Sequence, residues 1–500
     1  MVPLFKFTNL LKRVPVSIGK HIWIKASQIA KLSEHLIYRF LGQPDLGPSS
    51  GTLTVIDNRT RRQYDIPIKR NAIKAVEFRK ITSAQQGADP VDQIQTGLRV
   101  LDPGYLNTAC VESKITLVDG QRGYIQYRDY PIEYLFENHN YEDVLHLLVW
   151  GHLPSAAERL AFRRRFALAC VPPKHAVEVI QSFPRDSLTK TMIMAGLAAF
   201  ASHEDGAEHT HQSSRPYYLG RPNEVDTGMV RTLGAFASVV ALAYCHKRNK
   251  RFTMPDPEES YIGNVVVTAR TGHGAVTVVR MMGFRESSSD VAPDRDIVAC
   301  FSKLWILYAD HEMTNSTAAF LHASSTLTDP LSCCISSIAC AHGPLHGGAI
   351  DIAYRTFADV GTPENVPALI ADVKAKKHRL FGYGHRIYKA VDPRAKFMRA
   401  MIDQHKDRVQ SNPLLAVALE IDRVAGADEY FTSRKLKANA DFYGCFLYTA
   451  FGFEADIIVA MACMSRLPGG LAHWRESMLE RGPLIWRSQQ IFTGKVAVES

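Results

Sequence analysis

The chain predicts a mainly α fold, with short β hairpins confined to its N-terminal part. Two patterns carry this expectation. Beyond residue 130 apolar residues recur at helical spacing, as at Leu414, Leu415, Ala418, Ile421 and Val424. Before it, short strand-like segments alternate with polar turns. Residues 52–56 and 63–68 read as two strands around one turn. Residues 115–118 and 123–127 read as a second hairpin across Asp119-Gly120.

Punctuation fixes the helices. Asp392-Pro393 and Asn412-Pro413 each place a capping side chain before a proline suited to a first helical turn. Gly426 is expected to stop the helix that begins near Leu414. Residues 192–201 and 233–245 are apolar on all sides, as core helices are. The polar stretches 202–227 and 283–294 are expected as surface loops, and residues 44–51, rich in proline, glycine and serine, as a linker.

Composition narrows the class. With 500 residues, 46% hydrophobic and 22% charged, the chain has the make-up of a soluble globular protein of two or three domains. Its longest uncharged apolar run, residues 232–245, is fourteen long. A bilayer needs about 20 residues, so no membrane span is expected. The net charge is +9, and residues 1–33 supply six basic side chains and no acid. That start fits a mitochondrial-matrix targeting segment or a basic surface arm, with a cytoplasmic or peroxisomal protein as alternatives. The terminal Val-Glu-Ser is not a peroxisomal address of the Ser-Lys-Leu type. The remaining body is near neutral, which argues against nucleic acid as a partner. Nine cysteines without a C-x-x-C pair fit buried thiols in a reducing compartment.

Three stretches present ionisable groups suited to carbon-acid chemistry. His346 lies between Gly343-Pro344 and Gly347-Gly348, so its ring is expected at a turn or helix start, where backbone dipoles favour the neutral imidazole. A structural, turn-capping histidine is the plainer alternative. His385 lies in Gly382-Tyr383-Gly384-His385-Arg386 within a basic cluster that includes Lys374, Lys376, Lys377, Arg379, Lys389 and Arg394. Such a cluster suits carboxylate or phosphate groups, and Arg394 is expected at a helix N-terminus, where anions are favoured. Asp441 sits beside Phe442 and Tyr443, which would desolvate it and raise its basicity; a helix N-cap is its alternative. His311, in Asp310-His311-Glu312-Met313-Thr314-Asn315, is ambiguous alone.

Together, GPLHGGA at 343–349, GYGHRIYKAVDPRA at 382–395, NADFY at 439–443 and DHEMTNSTAA at 310–319 resemble the citrate synthase family in order and spacing. The resemblance runs from about residue 52 to 494. It implies a large helical domain (131–349 and 446–500) and a smaller helical domain (350–445), after a basic segment (1–51) and a β-containing region (52–130). It further implies a homodimer that condenses an acyl-CoA with oxaloacetate and then hydrolyses the thioester, with no metal or redox cofactor. Asp441 would take the α-proton, His346 would steady the enol, and His385 and His311 would polarise the keto group. Arg394, Arg466 and, from a neighbouring subunit, Arg487 would hold carboxylates.

The departures from the family pattern bear on substrate. Ile350 replaces an asparagine, Asn315 is shifted by one place, Gly470 replaces a tryptophan, and Ser488 stands where a proline commonly follows Arg487. Losing an indole removes apolar volume and Ile350 makes the nearby wall greasier, which favours an acyl group larger than acetyl, as in relatives that make methylcitrate or longer alkylcitrates. An ordinary acetyl-CoA-specific enzyme and a non-catalytic CoA-binding relative are the alternatives. A histidine-metal hydrolase is disfavoured, because Gly343-Pro344 spoils the helix that His342 and His346 would share.

Overall fold

The computed structural model describes residues 50–83, 97–202, 208–210, 216–262, 281–282, 295–482 and 484–495. The basic segment 1–33, most of the 44–51 linker and the 283–294 stretch lie outside them.

The chain forms two compact units. One comprises residues through Glu112 with those from Ser488 onward, and the other Ser113–Arg487. In the first, β1 (Ser50–Asp57) and β2 (Arg62–Lys69) pair antiparallel with Thr54 opposite Asp65, and β3 (Ala72–Ile73) continues the sheet. The Thr54 hydroxyl donates to the Asp65 carboxylate at 2.7 Å, a cross-strand bond that helps hold this register.

The second unit begins with another antiparallel sheet, β4 (Thr116–Asp119), β5 (Tyr124–Tyr127) and β6 (Tyr130–Pro131). Its turn is longer than Asp-Gly alone suggests, because Asp119 pairs with Tyr124 and leaves residues 120–123 as the loop. The Asp119 carboxylate accepts the backbone N–H groups of Gln121 and Arg122 at 2.9 and 3.0 Å, closing that loop as a side-chain cap.

Helices follow. They are α1 (Ile132–Asn138), α2 (Tyr141–Trp150), α3 (Ala156–Ala169), α4 (Lys174–Gln181), α5 (Thr189–Ala201) and α6 (Pro222–Lys247). Next come α7 (Arg295–Tyr308), α8 (Asn315–Ser324), α9 (Pro330–Ala341), α10 (Ala349–Val360) and α11 (Val366–Lys374). The last are α12 (Ala395–Gln404), α13 (Leu414–Ala427), α14 (Ala440–Thr449) and α15 (Ala455–Glu476). The expected core helices are α5 and α6. Two expectations need correction. α6 begins at Pro222, inside the stretch expected to be loop, and α13 runs through Gly426. Helical packing outweighs the entropy of one glycine in α13, where Val417, Ala418, Ile421 and Ala425 are buried.

α15 is the shaft of this unit, packed against α2, α6, α7, α8 and α10. Pro468 lies inside it and cannot donate to the carbonyl four residues back. The hydroxyl of buried Tyr261 donates to that carbonyl, Met464 O, at 3.2 Å, and Tyr141 donates to Ser465 O at 2.6 Å. Both α6 and 455–480 are long and apolar enough to cross a membrane, yet 94% and 78% of their apolar windows are buried within the protein.

Candidate active site

Asp441 is the second residue of α14, and the cap of that helix is Asn439, whose Oδ1 accepts the Asp441 N–H at 2.9 Å. The capping alternative for Asp441 is thereby removed. The residue is half-buried, and the protein around its carboxylate pushes the pKa up to about 6 by desolvation. Arg394 and Arg466 oppose the rise, and Asp392 adds to it.

The loop carrying His385 is stitched to the start of α14. Asn439 Nδ2 donates to Gly384 O at 2.8 Å, Asn439 N to Gly382 O at 2.9 Å, and Gly384 N to Lys437 O at 2.6 Å. Gly382 has φ +75°, and a Cβ there would stand 2.9 Å from the Phe442 Cα, so only glycine permits this approach. Behind it, Asp422 on α13 accepts the Tyr383 hydroxyl at 3.1 Å and the Tyr443 hydroxyl at 2.7 Å, and pairs with Arg399. Residues flanking His385 and Asp441 thus share one carboxylate.

His385 Nδ1 accepts the N–H groups of Ile387 and Tyr388 at 3.1 and 3.3 Å. Burial, helped by Arg394, lowers its pKa to about 4. The neutral ring therefore carries its proton on Nε2, as a donor. Its centroid lies 5.5 Å from that of His311 and 4.5 Å from that of Tyr388. His311 is buried, and burial with the charges of Arg394 and Arg466 holds its pKa well below the usual imidazole range.

His346 occupies the turn before α10, as expected, but its polar environment comes from a different helix. Its Nε2 accepts the Ser316 hydroxyl at 2.8 Å and the Ser316 N–H at 3.3 Å, at the N-terminus of α8. Burial, with Arg466, lowers its pKa to about 4. A neutral imidazole that accepts at Nε2 must donate from Nδ1.

Arg394 immediately precedes α12 and is buried. Asp392 accepts from its Nε and Nη2 at 2.9 and 2.8 Å, and leaves Nη1 for another acceptor. Asp392 accepts the Arg394 N–H at 3.0 Å at the entry to α12, as its capping position suggests. The same carboxylate also serves the buried guanidinium, which requires a counter-charge, and the Ala440 N–H at 3.2 Å. Burial lowers the pKa of Arg394, and the pair with Asp392 more than reverses this.

Arg466, on α15, donates through Nε to Tyr308 O at 2.5 Å, and its charge is felt by Asp441, His346 and His311 alike. The Tyr308 hydroxyl donates to Ala440 O at 3.0 Å, so one tyrosine ties Arg466 to the root of α14. Arg487 is exposed and makes no hydrogen bond or ion pair with these groups.

Three positions that touch this cluster escape sequence reasoning, Ser316, Tyr388 and Asn439, as does the ion pair of Asp392 with Arg394. All lie inside or beside the quoted motifs, which is the signal that could have found them. Of metal-binding groupings among the described residues, His146, His152 and Glu158 stand within 4.8 Å of one another, and none belongs to this cluster.

Two histidines as neutral donors, a third near one of them, a basic carboxylate and two guanidiniums are the groups that forming and capturing an enolate requires. The citrate synthase C-terminal domain family matches residues 104–489. A citrate synthase-like protein of Aspergillus oryzae is 43% identical over 450 residues, covering 90% of this chain and 97% of its own. An alkylcitrate synthase of Talaromyces stipitatus is 36% identical, covering 90% and 96%. The solved citrate synthase of Pyrobaculum aerophilum superposes with a TM-score of 0.68 at 26% identity, over 80% of this chain and 96% of that one. The chain belongs to the citrate synthase family.

Proposed function

We propose that this enzyme condenses an acyl-CoA with oxaloacetate to give CoA and an alkylcitrate whose acyl donor is larger than acetyl. Asp441 removes the α-proton of the thioester, and His346 Nδ1–H donates to the oxygen on which charge develops. The carbon nucleophile attacks the keto carbon of oxaloacetate. The new C–C bond leaves charge on the former keto oxygen, to which His385 Nε2–H donates. Arg394 and Arg466 hold the carboxylates, and Arg487 of a second copy adds another guanidinium. Water then cleaves the thioester, releasing the free thiol and a third carboxylate. Closure of residues 350–445 over the substrates would exclude bulk water before that step.

The observation that carries the reaction is the raised basicity of Asp441 in a helix already capped by Asn439. The acyl preference is supported by Gly470. It is buried, yet a Cβ placed on it meets nothing within 4 Å. Ile350, buried, presents its Cδ1 3.4 Å from a Cβ placed on Gly444, one turn along from Asp441. Gly470 leaves room where an indole would stand, and Ile350 makes the wall beside the helix of Asp441 more apolar.

Thiol release with oxaloacetate and acetyl-, propionyl- and hexanoyl-CoA tests both levels. Preference for hexanoyl or propionyl supports the reading. A strong preference for acetyl returns the protein to an ordinary citrate synthase, and no turnover of any thioester leaves a CoA-binding relative.

A further inference from the structure

Tyr388 is 3% exposed, and its hydroxyl lies 2.8 Å from His311 Nε2. Its ring stands 5.6 Å from that of His311 and 4.5 Å from that of His385. The phenol therefore occupies the ring nitrogen through which His311 would meet a substrate oxygen. A nitrogen with one hydrogen bond to make cannot serve the phenol and a keto acid together. Satisfying a buried imidazole matters in the empty site, because an orphaned polar atom there is costly.

We propose that Tyr388 is a positioning residue that stands in for oxaloacetate, holding His311 until the keto acid displaces the phenol. Ile387 is 39% exposed and Lys389 is also exposed. The backbone on either side of the ring is nevertheless fixed, with the Lys389 N–H donating to Gly120 O at 2.8 Å, so the exchange is a rotation of the tyrosine side chain alone. His385 is held separately, through Nδ1 by the backbone of Ile387 and Tyr388, so its donor nitrogen is unaffected by the phenol. The trade is selective. It taxes ligands that bring no oxygen to His311 and is repaid only by one that does. This rests on the role given to His311 above.

Removing the hydroxyl leaves Nε2 unpartnered in the free protein, and a bound keto acid then relieves that deficit. Tyr388→Phe should bind oxaloacetate alone, measured by titration calorimetry, roughly five- to tenfold more tightly. KM for oxaloacetate in thiol release should fall in parallel, kcat should change little, and Tm should drop. A merely structural tyrosine would lower Tm without tightening the keto acid. Tyr388→Leu, which also lacks the hydroxyl, must move affinity the same way, and serves if the phenylalanine variant does not fold. Equal or weaker oxaloacetate binding in the folded variant overturns the proposal while leaving the reaction intact. Wild-type protein that binds no oxaloacetate overturns both.

Discussion

Asn439 Nδ2 donates to the carbonyl oxygen of Gly384 at 2.8 Å, while its Oδ1 caps the helix that carries Asp441. One amide thus sets the spacing between the residue next to His385 and the residue two before Asp441. In an acid–base site whose groups lie on a loop and a helix start, that tether positions the chemistry.

Asn439→Ala should lose both functions, lowering stability by about 1 kcal/mol from the cap alone. Asn439→Ser retains a capping oxygen but no amide donor. Its stability should stay near wild type while kcat falls more than KM rises. Thermal unfolding alongside steady-state kinetics separates the two.

The base should govern the pH profile. With Asp441 at about 6, kcat/KM should rise about tenfold per pH unit below that value and level off above it. His346 and His385, each held at about 4, should add no limb between about pH 5 and about pH 8. Asp441→Asn should reduce thiol release by roughly 10²- to 10⁴-fold.

The same group has a stability consequence of opposite sign to the usual carboxylate. Its folded pKa lies above the unfolded value, so the native state binds the proton more tightly. Ionised Asp441 therefore destabilises the fold, increasingly as pH rises from about 4 to about 6 and fully above that. Asp441→Asn should raise Tm at neutral pH, and the gain should vanish in acid. A variant less stable than wild type at neutral pH would contradict the burial of this charge.

Adjacent glycines in α15 make a paired test. A Cβ on Gly469 would collide with Ala309 O and stand 2.5 Å from Asp310 Oδ1, whereas one on Gly470 meets nothing. Gly469→Ala should be strongly destabilising, while Gly470→Ala should stabilise by about 0.5–1 kcal/mol through helix propensity. Gly470→Trp should lower the hexanoyl-to-acetyl ratio of kcat/KM by at least about tenfold. An unchanged ratio would separate this space from the acyl chain.

Asp392→Asn should leave the buried Arg394 guanidinium without its counter-charge, at a cost of about 3–5 kcal/mol. Burial raises the Asp392 pKa, but Arg394 wins and holds it below the ordinary value. Its contribution is therefore present above the unfolded carboxylate pKa and is lost as pH falls through the lower folded one. Denaturant unfolding at neutral and acid pH should show the wild-type advantage shrinking in acid.

The helices, both hairpins and the chemical types of the site were legible because each depends on local periodicity or on a short motif. Helix ends were less so. Gly426 did not stop α13, which ends one residue later at Ala427, because the buried positions up to Ala425 carry the helix past it. Asp392 accepts the backbone N–H of Arg394 as its capping position suggests, but its second role, binding the buried guanidinium of the same residue, was not legible locally.

What the sequence alone determined is which side chains are present and in what order: a carboxylate beside aromatics, three histidines and the arginines, on a helical frame. Tertiary structure decided which atom of each is available. His346 faces Ser316, 30 residues away, and Asn439 reaches Gly384 across 55. Tyr388 meets a histidine 77 residues back. Bonds over such distances follow from helix packing, whereas propensity and capping reach only a turn or two along the chain. Tautomer, basicity and readiness to meet a substrate are therefore properties of the assembled fold.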